Sequence, residues 1–126
     1  MRYLLDSMLL IDHANGDAAA QTLLGRLFEE GHELFTCDVV TCETLSLGDD
    51  PDLDHIKAIL HALEYIATSP QAANWAGDSR RARHQRGGRL AIPDALVAGA
   101  AVSIGATVVT RNTADFERQG VSVLAY

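Results

Sequence analysis

Only two cysteines, Cys37 and Cys42, occur in 126 residues, too few for a disulfide framework or a four-thiolate zinc site. Both read as small buried apolar side chains. The five histidines, at 13, 32, 55, 61 and 84, lack metal-ligand spacing such as HExxH and are read as surface or core residues. No apolar run approaches the roughly 18 to 20 residues that cross a bilayer. The start, MRYLLDSMLLIDH, carries Asp6 and Asp12 where a signal peptide would be apolar, so the protein is expected in the cytoplasm. Positive charge is also scarce. The net charge is -7 and Lys57 is the only lysine, which excludes a protein that simply coats nucleic acid by neutralising phosphates. An enzyme acting on nucleic acid is not excluded. With one Trp, three Tyr and three Phe there is no stacking motif for unpaired bases.

What is present is an alternation of apolar strands with amphipathic helices, in a length that suits a single domain spanning 1–126. RYLLD reads as a buried strand and MLLIDH as the start of a helix. DAAAQTLLGRLFEEG is a helix with an apolar stripe at Ala20, Leu23, Leu24, Leu27 and Phe28, and Gly31 suits its stop. ELFTC is a second strand, followed by a helix over DVVTCETLSLG that Asp38 is placed to cap. HIKAILHALEYI has helical period after an acidic loop, with a short strand or extended piece expected around Ile66 to Thr68. Pro70 opens a helix that runs to the arginines, and Gly87 and Gly88 break it. Pro93 opens a helix of small residues that ends near Gly105. ATVVT is the most strand-like segment, a helical turn follows at NTADFERQG, and VSVLA closes the chain. This order predicts an α/β fold of three layers, α/β/α, with a mainly parallel sheet and right-handed crossovers. Half of the Lys and Arg fall between 80 and 89, and Arg80, Arg83, Arg86 and Arg89 share one helical face wherever that helix persists. They read as a solvated basic face or as an edge that follows phosphates.

Parallel sheets of this kind bind ligands outside the carboxyl ends of their strands. Four acids fall at that edge. Asp6 ends the first strand, Glu43 lies a turn into the helix after the second, Asp94 opens the small-residue helix, and Asp115 follows ATVVT. Each alone has a plainer reading. Asp6 and Asp94 can cap helices, Asp115 is three residues beyond Asn112 as in a capping box, and Glu43 can face water. Together they are harder to dismiss, because carboxylates about 4 Å apart repel by roughly 4 kcal/mol per pair at an effective dielectric near 20. A fold stable by about 5 to 15 kcal/mol needs compensation for several such pairs. A proton, a basic side chain or a divalent cation can supply it. A phosphoacceptor site would set a lysine against the acids, and Lys57 lies in an exposed-looking helix. The oxygen-only donor set suits Mg or Mn instead.

The segments LLDS, IPDALVAGAA and VVTRNTADF, in that order and separation, resemble those of PIN domains and specifically of VapC-type toxins of toxin-antitoxin pairs. The similarity runs from end to end, although Met8 stands where Ser or Asn is common in the family. The resemblance implies that Asp6, Glu43, Asp94 and Asp115 are catalytic residues and ligands of one or two Mg2+ or Mn2+ ions. It gives Ser7, Thr110 and Asn112 supporting roles. It further implies hydrolysis of RNA phosphodiester bonds, a homodimer and a small VapB-type antitoxin as partner. The alternative is a similar module that binds RNA or protein without cutting.

Overall fold

The computed structural model describes residues 1–126. Its centre is a sheet of five parallel strands in the order β3-β2-β1-β4-β5. The strands are β1 (Arg2–Leu5), β2 (Glu33–Cys37), β3 (Glu64–Ile66), β4 (Thr107–Val109) and β5 (Val123–Leu124). The helices are α1 (Ser7–Ala14), α2 (Ala18–Glu29), α3 (Asp38–Leu47), α4 (Leu53–Ala62), α5 (Pro70–Gln85), α6 (Ile92–Ile104) and α7 (Thr113–Glu117). The expected three-layer α/β/α architecture is therefore present, with helices flanking the parallel sheet.

β1 occupies the middle because it is apolar on both faces, as a strand covered by helices on each side must be. Leu4 and Leu5 are fully buried, and Leu4 stands in register with Phe35 of β2 on one side and Val108 of β4 on the other. The sheet-facing stripe of α2, Ala20, Leu23, Leu24 and Leu27, enters the same core. No helix is long and apolar enough to cross a membrane.

Gly99 lies where α6 meets α5, directly against the backbone carbonyl of Ala72, and the space between them leaves no room for a Cβ. The small residues of α6 thus let α5 settle closely on it. Gly105, at φ +64, ends α6 in the left-handed conformation that glycine adopts without steric cost.

Four sequence expectations are corrected. The third strand is Glu64–Ile66, not Ile66 to Thr68, and the helix before it stops at Ala62 rather than continuing through EYI. Pairing with β2, Phe35 opposite Glu64 and Cys37 opposite Ile66, overrides the helical period there. Phe28 is 43% exposed, because Leu24 and Leu27 already fill the line of α2 that faces the sheet. Cys42 is exposed, and only Cys37 is a core residue. Asp38 does not cap α3 in the usual way. Its carboxylate, besides accepting the Val39 amide at 3.0 Å, accepts hydrogen bonds from the Thr68 amide and hydroxyl, the latter at 2.7 Å, and so clips α3 to the segment after β3. Partial burial disfavours its charge, but these donors outweigh that and hold Asp38 below the usual carboxylate range.

Candidate active site

The carboxyl ends of β1, β2 and β4 are adjacent because these strands are neighbours, so whatever follows each strand gathers at one edge. Asp6 follows β1. Its amide donates to the Val109 carbonyl of β4 at 3.0 Å, and its Oδ1 accepts from the Ser7 amide at 2.9 Å as the cap of α1. Its other oxygen, Oδ2, accepts the Thr110 hydroxyl at 2.7 Å. The plainer reading of Asp6 as a cap is thus correct for one oxygen, while the second is turned to the end of β4.

From Thr110 a hydrogen-bonded chain continues across the site. The Thr110 hydroxyl accepts the Asn112 amide at 2.9 Å. The Asn112 side-chain nitrogen donates to Asp115 Oδ2 at 3.0 Å and to Asp94 Oδ2 at 3.3 Å. Asn112 begins α7 without a side-chain cap, so the capping-box reading of Asp115 does not hold. Asp94 lies in the first turn of α6, whose cap position is Ala91, and is not the helix cap either. Its place near a helix start favours its negative charge.

Electrostatics joins Glu43 to this group. Burial pushes Glu43 upward, the Asp6 charge adds to that, and the Ser7 hydroxyl works the other way. Asp6 is raised by burial in spite of its bonds from Thr110 and Ser7. Asp94 moves furthest, up to about 6, through burial first and then the charges of Asp6, Asp115 and Glu43. All four sequence-predicted acids, from four separate segments, therefore share one field, and Ser7, Thr110 and Asn112 lie among them.

No lysine or arginine neutralises the centre of this cluster. Arg111, next to Thr110 in sequence, turns away to Asp12 and Asp17 at 3.4 Å each and lies over the Tyr126 ring. Arg118 reaches only the outer acid, Asp115, at 3.9 Å between two partly exposed side chains. Lys57 lines a separate cavity with Leu45, Leu60 and Tyr65. A proton or a cation must do what basic side chains do not.

The donor set fits a hard cation in kind, since it is all oxygen and carries excess negative charge. In this arrangement no three acidic, histidine or cysteine side chains close on a single point. Mg2+ does not require that, because it commonly takes one or two carboxylates and keeps water in its other positions. Among the histidines, His13 and His55 stack with ring nitrogens 3.2 Å apart, outside the acidic cluster.

One feature beside the site was not singled out from sequence. The Gln119 side chain donates to the Asp115 carbonyl at 3.1 Å and accepts from the Ser79 hydroxyl at 3.0 Å, tying α7 to α5. No local pattern marks it, because the two segments meet only in the fold.

Known proteins resemble this chain in sequence and in fold. Residues 3–121 match the sequence description of the PIN domain. The chain is 29% identical over 115 residues to ribonuclease VapC19 of Mycobacterium tuberculosis, covering 90% of each. The fold is similar to VapBC2 of Rickettsia felis bound to a promoter DNA fragment, at TM-score 0.85 and 22% identity, covering 100% of this chain and 99% of that one. It is similar also to DNA-bound VapBC of Salmonella typhimurium, at TM-score 0.84 and 22% identity, over 99% and 98% of the two chains. With the match spanning nearly every residue, from β1 to just short of β5, the chain belongs to the PIN domain family.

Proposed function

We propose that this protein is a metal-dependent endoribonuclease that hydrolyses RNA phosphodiester bonds, and that it is the toxin of a VapBC-type pair. The observation that carries the reading is the convergence of Asp6, Glu43, Asp94 and Asp115 in one field with no basic side chain at its centre. The family and the ribonuclease name of its 29% identical relative support the same reading.

Asp6, Glu43, Asp94 and Asp115 would hold Mg2+ or Mn2+. When bound, such a cation lowers the pKa of water so that hydroxide is available near neutral pH and offsets charge on phosphate oxygens. The protein's part is positioning. Thr110 holds Asp6 through Oδ2, leaving that carboxylate a single orientation. Asn112 spaces Asp94 from Asp115 by donating to both. Asp94, raised to about 6, loses its proton near neutrality, so it is ready to exchange a proton for a cation. Hydrolysis then forms one P–O bond from water and breaks one to the leaving ribose oxygen, with no covalent intermediate on the protein.

The similarity in fold to VapBC complexes supports a VapB-type partner. A VapB-type antitoxin would block the acidic groove, with an arginine directed at the carboxylates, and the active protein would be a cytoplasmic homodimer. The deciding experiment incubates the purified protein, freed of antitoxin, with total cellular RNA and Mg2+ or Mn2+. Discrete cuts that vanish in EDTA and in Asp94→Asn are expected. Intact RNA under conditions where metal binding is independently established would instead indicate a non-cutting PIN module.

A further inference from the structure

A cavity of about 420 Å³ opens beside the acidic cluster and shares Asp115 with it. Its other walls come from α5, from Leu90, and from Arg118 and Gln119 after α7. Three arginines, Arg83, Arg86 and Arg118, line it together with two acids, Asp78 and Asp115. Of the three, only Arg118 makes an ion pair, the long contact to Asp115. None of the ion pairs in the structure involves Arg83 or Arg86.

Arg83 is held in place by backbone rather than by a counter-charge. The chain turns at Gly87, φ +79, and the Gly88 amide donates to the Arg83 carbonyl at 3.1 Å. Gly88 then lies so close over the guanidinium that a Cβ there would come 2.5 Å from Arg83 Nε. The turn separates Arg89 from the basic face legible in the sequence, and the remaining arginines of that face differ in their use. Arg80 is used internally, donating to the Leu90 carbonyl at 2.9 Å, while Arg83 and Arg86 line the cavity. The only tryptophan, Trp75, packs against the core on one side and lines the same cavity on the other.

We propose that this cavity is a subsite for the single-stranded RNA next to the bond that is cut, with Arg83, Arg86 and Arg118 on its phosphates and Trp75 against a base. The ligand class rests on the ribonuclease reading above; the site itself rests on the cavity. A strand whose scissile phosphate lies at the carboxylates must leave over adjoining surface, and the wall containing Asp115 opens directly onto unpaired arginines. Cations beside an aromatic face are the combination by which proteins hold single strands without reading sequence. The volume falls within the roughly 300 to 1,000 Å³ of ordinary ligand sites. An acidic peptide would satisfy the arginines but leave the tryptophan without a flat partner. The arrangement also gives an acidic protein the local positive field that its net charge lacks.

The test titrates a mixed-sequence single-stranded decaribonucleotide in EDTA, following its anisotropy and the emission of Trp75 together. Decaglutamate is the comparison ligand, and cleavage with Mg2+ is scored separately. Wild type should bind RNA with a saturable change in Trp75 emission. Arg86→Ala and Arg118→Ala should each weaken binding and flatten the slope of log affinity against log salt by about 0.7, the value for one phosphate contact on a single strand. Arg83→Lys, which keeps the charge, should preserve the slope, and Arg81→Ala, outside the cavity, should change nothing. If RNA is cut but Arg86→Ala and Arg118→Ala leave affinity, slope and emission unchanged, the subsite is overturned while the nuclease stands. Arginine-dependent RNA binding, with total cellular RNA left intact while metal binding is independently established, would uphold the cavity as a single-strand site and sink the nuclease. Failure to bind RNA, or arginine-dependent binding of decaglutamate alone, would overturn the subsite.

Discussion

The Thr110 hydroxyl donates to Asp6 Oδ2 at 2.7 Å across 104 positions of sequence, and both side chains are buried. The same hydroxyl accepts the Asn112 amide, so one small side chain fixes the first acid and the start of the segment that carries the last. Thr110→Val keeps the shape and removes both bonds. A buried acceptor left unsatisfied costs about 1 to 3 kcal/mol. Urea unfolding should show a loss of that order, with cleavage reduced as well, and Thr110→Ser should recover most of both. An unchanged midpoint in Thr110→Val would mean that water replaces the hydroxyl.

Metal should stabilise the protein, because a ligand selective for the native state shifts unfolding by mass action, by about 2.7 kcal/mol at a hundred times its Kd. Melting temperatures should rise from EDTA to millimolar-range Mn2+, and Asp94→Asn or Asp115→Asn should shrink the rise. Equal melting temperatures for wild type in the two buffers would remove the cation from the account.

The acidic cluster also sets a pH dependence in EDTA. Asp94 titrates near 6 when folded and near the ordinary 3.9 or so when unfolded, so the native state binds more protons between these values. Its contribution is fully present below the unfolded value and is lost as pH rises through about 6. His13, lowered by burial and by His55, acts in the opposite sense, losing stability as pH falls below the unfolded histidine value. Comparison with Asp94→Asn isolates the carboxylate. The variant should be the more stable at pH 8, and its advantage should shrink by pH 5. A constant gap in urea midpoints would show that Asp94 does not titrate in this window.

Close packing of α5 on α6 predicts that Gly99→Ala destabilises, although alanine is the better helix former by up to about 1 kcal/mol. The added methyl meets the Ala72 carbonyl, which is backbone and has little room to move. Overpacking of this kind costs about 1 to 3 kcal/mol. A higher melting temperature for Gly99→Ala would mean that the two helices separate at little cost.

Much of the architecture was legible in the chain because strands buried on both faces must be apolar. RYLL, ELFTC and TVV are all observed as strands, and the small residues of α6 are observed as a close contact. The misreadings share a cause. Glu64–Ile66 has a helical pattern locally and becomes a strand only because the edge of β2 is free to pair with it. Asp38 has the position of a cap and is taken by Thr68, thirty residues away. In each case a distant partner outweighs a local preference of about 1 kcal/mol or less.

By itself, the sequence determined which acids follow apolar segments, and so which side chains can stand at a strand's carboxyl end. It also determined that no basic residue adjoins Asp6, Glu43 or Asp94 along the chain. Only the tertiary structure decided that these acids meet. The order β3-β2-β1-β4-β5 puts β1 between β2 and β4, about 4.8 Å from each, which brings Asp6 beside the segments that carry Glu43 and Asp115. It decided also that Arg111 turns away from the acids and that Arg83 and Arg86 open beside them. Strand order and side-chain direction depend on contacts between residues far apart in the chain, and local spacing does not encode them.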